Sequence, residues 1–230
     1  SICVKYSSWL FYLHYYIQHM TDFFAKSDIS RNDAEKIVSD TLKNTDDGEL
    51  YLENTKSENI VLDDSKIKNS SYNSDVGYGL RAVTGEVIAY SHSNEISKNS
   101  LKNSSENLKS TLKSKKGTYN HSIPKSNIKY YEDKNPLDDK SFSSKVKILE
   151  EIDKYTRSKH PNIKQVTANF LGEHKTVEII RSGGEIISDI RPLVRFNVSV
   201  VVEKNGKKET GVYGIGGRQS YDDYLNNENW

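Results

Sequence analysis

Leu193 to Arg218 read LVRFNVSVVVEKNGKKETGVYGIGGR, and this stretch decides the fold class. Val194, Phe196, Val198, Val200 and Val202 occupy alternate positions, with Arg195, Asn197 and Ser199 between them. A period of two sends the two sets to opposite faces of an extended strand, one buried and one solvated. Asn205-Gly206 follows, the pair best suited to the two positive φ angles of a type I′ hairpin turn. Lys207 to Tyr213 is then the returning strand. A strand solvated on one face and closed by a tight turn belongs to an antiparallel sheet whose other face is covered.

The same patterns recur upstream. Val166, Ala168 and Phe170 alternate with polar residues, and strand-like runs follow at Val177 to Ile180 and Ile186 to Ile190. Before them Val146, Leu149, Ile152, Asp153 and Tyr155 recur at helical spacing. His160-Pro161 ends that helix, since the residue before proline is pushed out of the helical region. Nearer the amino terminus, Ser30 is placed to cap a helix, with Asp33 at its positive end and Ala34, Ile37, Val38 and Leu42 on one face. Asp47-Gly48 reads as its break. Short strands are expected around Leu50 and Leu52, around Ile60 and Leu62, and after Asp63-Asp64 from Val76 to Val83. Thr84-Gly85 turns the chain into Val87 to Ser91, and Ser97 caps a further helix with Leu101, Leu108 and Leu112 as its stripe.

The expected fold class is therefore α+β: two units of antiparallel β-sheet covered by helices. The expected boundaries are a first domain at 20–115, a linker at 116–140 that is rich in Lys, Asn and Ser and holds Pro124 and Pro136, and a second domain at 141–230. Trp9 to Ile17, WLFYLHYYI, is about half the roughly 20 apolar residues that a spanning helix needs, and no signal-peptide cleavage pattern follows. Met20 is the only methionine, so residues 1–19 are read as an upstream or non-native extension and Met20 as the natural start.

A net charge of +1 and a pI near 7.7 give no reason to expect nucleic acid or an acidic membrane as partner. The lone cysteine, Cys3, excludes an intrachain disulfide and a cysteine-based zinc site, and is consistent with a reducing compartment. The six histidines, His14, His19, His92, His121, His160 and His174, fall in no H-E-x-x-H pattern. His174 follows Glu173 but has no second ligand nearby in sequence, and His92 between two serines has no third member of a triad. Asp63-Asp64 and Asp222-Asp223 read as solvated charge. No catalytic residue and no metal ligand is assigned within the chain.

One local cluster carries chemistry. Gly211, Gly214, Gly216, Gly217 and Arg218 form GVYGIGGR. Successive backbone N–H groups there could cradle an anion with Arg218 adding charge, although neither a P-loop nor a dinucleotide fingerprint is present. The alternative is that the glycines allow a bent strand end and close backbone packing. Gly214, Gly216, Gly217 and Arg218 are the candidate substrate-binding residues.

Two blocks bear a family resemblance. GELYLENTKSENIVLDDSKIKNSSYNSDVGYGLRAVTGEVIAYSHSNEIS is similar to the opening domain of TldD proteins, with Asp75, Gly77, Gly79, Arg81, Ala82, Gly85 and Glu86 on the motif D-x-G-x-G-x-R-A-x-x-G-E. SDIRPLVRFNVSVVVEKNGKKETGVYGIGGRQSYDDYL resembles the central stretch, which ends in Gly-Gly-Arg; here Ile215 interrupts the glycine run. The resemblance to the TldD/PmbA metalloprotease family, in its amino-terminal and central portion, covers about residues 30–228. It implies a cytoplasmic, zinc-dependent peptidase that cuts unstructured peptides and pairs with a PmbA-like partner subunit or as a homodimer. It also implies that zinc is held by H-E-x-x-x-H in a carboxy-terminal domain, a motif missing from these 230 residues. The chain is thus expected to be truncated before the catalytic domain, to bind no zinc and to be inactive alone. Two other functions stay open: a non-catalytic subunit or interaction module, and an anion or nucleotide binder using the glycine segment.

Overall fold

The computed structural model describes residues 22–112, 117, 131–181 and 183–224. The extension at 1–19, Met20 and most of the linker lie outside the described residues. Among the described residues three α-helices, α1 (Arg31–Leu42), α2 (Lys98–Thr111) and α3 (Phe142–Ser158), accompany six strands: β1 (Asp47–Asp63), β2 (Lys66–Thr84), β3 (Val87–Ser93), β4 (Ile163–Arg181), β5 (Ile186–Lys204) and β6 (Lys207–Gly217). The strand order is β3-β2-β1-β4-β5-β6, and the class is α+β. The described residues form two compact units, those within 1–54, 77–121 and 178–186, and those within 55–76, 122–177 and 187–230. Among the described residues no helix is long and apolar enough to cross a membrane.

In the first unit the helix starts are fixed by serine caps. Ser30 Oγ accepts from Asp33 N at 3.2 Å and Ser97 Oγ from Ser100 N at 3.2 Å, each satisfying an N–H that the helix leaves free. Helix α1 stops at Leu42, and Asn44, at φ 69°, makes the turn. Asp47-Gly48 is therefore not the break but the start of β1. Ala34, Val38, Leu42, Leu101, Leu108 and Leu112 pack with Leu50, Leu52, Leu80, Ala82 and Ala89 in one apolar cluster. Buried hydroxyls between the elements pair with one another: Thr41 with Ser105 at 2.6 Å, and Tyr78 with Ser104 at 2.9 Å. The β2–β3 turn is one residue later than expected: Thr84 pairs with Val87, leaving Gly85 (φ 57°) and Glu86 as the turn.

In the second unit Ser141 caps α3 by accepting from Ser144 N at 3.2 Å. Leu149 and Ile152 pack on Ile60, Leu62, Val166, Ala168, Phe170, Val194 and Phe196. Tyr155, the last of the residues at helical spacing, is 46% exposed, and Lys159 Nζ lies 3.9 Å from its ring centre. The β1–β2 turn, Asp64-Ser65, has both residues at positive φ without a glycine. Helix α3 holds it there: Ser65 Oγ donates to Asp153 Oδ2 at 2.5 Å, and Arg157 pairs with Asp64. Asp63 accepts from Gln165 and Thr167, which lowers its pKa. These aspartates are thus partnered rather than merely solvated. Asn205 (φ 53°) and Gly206 (φ 78°) make the type I′ turn, with Lys204 opposite Lys207.

The strands are longer than their apolar runs. Leu50–Leu52 and Ile60–Leu62 belong to one strand of 17 residues, and Val166 to Ile180 to one of 19. The polar stretch Asn54 to Asn59 does not interrupt β1.

Candidate functional site

The glycine segment is strand, not loop. Strand β6 runs on through Gly217, with Gly217 opposite Val194, Gly216 opposite Arg195 and Gly214 opposite Asn197. A Cβ at Gly216 would strike the carbonyl of Val194 and come within 2.8 Å of Arg195 Cα. One at Gly217 would strike the Tyr224 hydroxyl, and one at Gly214 would lie 2.6 Å from Asn197 Oδ1. Backbone closes in on Gly216 alone; at Gly214 and Gly217 the near atoms are side-chain ends of Asn197, Arg195 and Tyr224. Gly211, in the same strand, has nothing within 4 Å of such an atom.

Arg218 follows directly. Its Nη1 donates to the Pro192 carbonyl at 3.1 Å, and its guanidinium carbon lies 5.5 Å from the ring centre of Tyr131. Tyr131, Lys134, Pro136, Pro192 and Tyr224, with Arg218, line a cleft of about 480 Å³. Two single-turn 3₁₀ helices form its sides. Pro136–Asp138 is capped by Asn135, and Tyr221–Asp223 is closed by a capping box in which Ser220 N donates to Asp223 Oδ2 at 2.9 Å. Ser220 Oγ also donates to Asp139 at 2.7 Å, and Lys140 pairs with Asp222 at 2.6 Å.

Both turns are anchored beneath the cleft. Lys145, on the inward face of α3 and 1% exposed, donates to Glu58 Oε1 at 2.5 Å and to the Leu137 carbonyl at 2.7 Å. The Tyr221 hydroxyl donates to the same Glu58 oxygen at 2.9 Å, and its ring packs edge-on against Phe170. Burial, reinforced by the Glu58 charge, pushes the Tyr221 phenol well above its ordinary range. Sequence reading missed this cluster. Its signal was a lysine at the first position of a stripe continued by Leu149, Ile152 and Asp153, where a cation needs a buried partner.

The other sequence candidates do not converge. His174 is half-buried on β4, and burial, helped by Lys56, lowers its pKa below 6.5. His92 is on β3, stacked on Tyr90 at 5.8 Å. Among the described residues no three His, Cys, Asp or Glu side chains come together as a metal ion would require. The described residues thus do not supply the ligand set of a catalytic zinc.

Residues 48–114 match the family described as PmbA/TldA metallopeptidase domain 1, and residues 135–230 match the PmbA/TldA metallopeptidase central domain. The chain belongs to the PmbA/TldD family. It is 33% identical over 184 residues to a "Metalloprotease TldD homolog" of Buchnera aphidicola from Acyrthosiphon pisum, a match covering 80% of this chain and 38% of that protein. It is 34% identical over 186 residues to the Haemophilus influenzae protein of the same name, covering 78% and 38%. This PmbA/TldD chain thus spans about two-fifths of the length of the relatives it matches. Solved structures agree on the fold. A proposed modulator of DNA gyrase from Bacteroides thetaiotaomicron superposes with a TM-score of 0.66 at 12% identity, over 84% of this chain and 47% of that one. TldE from Thermococcus kodakarensis gives 0.60 at 16% identity, over 80% and 42%.

Proposed function

We propose that this chain supplies the first and central domains of a TldD-type metallopeptidase that cuts unstructured peptides in the cytoplasm. In this reading the zinc and the bond-cleaving side chains come from sequence outside these 230 residues, and the working enzyme pairs with a PmbA-like subunit or a second copy. The observation that carries the reading is the match to proteins named metalloprotease TldD through both domains in order, at 38% of their length, in a chain that has no H-E-x-x-x-H. Within the chain, Arg218 is the side chain we assign to peptide contact. It stands on the rim of a cleft, at the end of a hairpin that fixes its position. Of the glycines before it, Gly216 is the one we assign to close packing of β6 on the β5 backbone.

The test supplies the remaining length of the Haemophilus influenzae relative as a second polypeptide, with zinc. Together the two pieces are expected to retain zinc through dialysis and to cut a dye-labelled unstructured peptide, while this chain alone does neither. Cleavage by this chain alone contradicts the reading. So does an inactive mixture when the relative's own two pieces, divided at the same point, work together.

A further inference from the structure

We propose that the Arg218 cleft binds a carboxylate carried by an extended peptide, with Arg218 taking the carboxylate and the walls of Tyr131, Pro136, Pro192 and Tyr224 receiving the apolar side chain beside it. The inference rests on the peptide-directed function above and names the chemistry of the contact.

Glu132, Lys134, Asp223 and Arg218 line the cleft and sum to zero, so what matters is which of them is paired. Lys134 is paired with Glu132 at 2.6 Å, and Asp223 is occupied by the backbone N–H of Ser220. Arg218 has no carboxylate partner among the described residues; its single hydrogen bond goes to a neutral carbonyl. A guanidinium presents five N–H donors in one plane, so most of them stay available. The Pro192 carbonyl and the Tyr131 ring fix the group, which lowers the ordering cost when a ligand arrives. A planar, oriented fork with no carboxylate partner among the described residues matches a carboxylate. The walls add the second feature. Proline side chains offer no polar group, and the tyrosine hydroxyls already donate, Tyr131 to Asp189 at 3.4 Å and Tyr224 to Gln219, also of the cleft, at 3.1 Å. Their rings add apolar area to the walls next to the charge.

The test measures binding to the 230-residue chain by fluorescence anisotropy, with no cleavage needed, so its outcome is independent of the reconstitution. Three dye-labelled hexapeptides of alanine and leucine are compared: one with a free terminal carboxylate, one amidated with an internal glutamate, and one amidated with glutamine in its place. A carboxylate peptide is expected to bind about tenfold tighter than the neutral one. A gain in the first alone assigns a chain terminus, in the second alone an acidic side chain, and in both a carboxylate of either origin. Arg218→Gln removes the gain at an unchanged melting temperature, and Arg218→Lys, which keeps the charge but not the flat fork, loses most of it. The proposal is overturned if no peptide binds, if all three bind alike, or if the preference survives Arg218→Gln. Displacement by inorganic phosphate as effective as that by an unlabelled carboxylate peptide also overturns it, in favour of a general anion site.

Discussion

Lys145→Ala is expected to cost the chain about 3–5 kcal/mol, the usual effect of removing one partner from a buried ion pair. The Nζ group is closed off from water, with a side-chain exposure of 2%, and Glu58 opposite is 12% exposed. Without the lysine, the Glu58 carboxylate keeps only the Tyr221 hydroxyl among the described residues, and the Leu137 carbonyl loses the Lys145 donor. Both turns flanking the cleft would loosen with it. For a chain of this size the loss corresponds to a fall of roughly 10 °C in melting temperature. The double change Glu58→Leu with Lys145→Met removes both charges and replaces them with apolar volume. It is expected to recover most of the loss, because the large term is the unpaired charge and not the pair itself. A single Lys145→Ala variant melting within about 2 °C of the parent contradicts the account of this cluster.

Gly216→Val is the second large effect. The added Cβ would meet the backbone of Val194 and Arg195, which cannot move aside without parting β5 from β6. A cost of about 3 kcal/mol or more is expected, at the upper end of overpacking penalties. Gly211→Val is the internal control. It lies in the same strand with open space around it, and there the branched side chain should be neutral or stabilise by up to about 1 kcal/mol. Equal losses from the two changes would show that Gly216 is not set by packing.

How far the sequence foretold this structure depended on local signals. Ser30 and Ser97 marked helix starts because capping is a contact within one turn. Asn205-Gly206 marked the hairpin because few other pairs tolerate two positive φ angles. The length of β1 was hidden because Asn54 to Asn59 carries no apolar residue, so alternation has nothing to count. Glu58 sits within that stretch facing the core, and the lysine that justifies it is 87 residues away. The Asp64-Ser65 turn was obscured in the same way, since its conformation is held by Asp153 and Arg157 of a distant helix. For the site, Arg218 was visible as a charge after a glycine run, but the walls at Tyr131 and Pro136 come from a segment that looked like linker. For the glycines the sequence left an anion cradle and close backbone packing both open, because periodicity cannot report backbone crowding; the approach of Val194 and Arg195 accounts for Gly216.

The central claim is that Arg218 contacts substrate while Gly216 before it packs the strand. The most direct measurement is kcat/KM for an unstructured peptide by the two-piece enzyme carrying Arg218→Ala, with zinc content and melting temperature recorded on the same sample. The account predicts a fall of about tenfold, the size expected for one charge-assisted contact, with zinc and melting unchanged. Unchanged kcat/KM, or a fall only in step with lost folding, would contradict it.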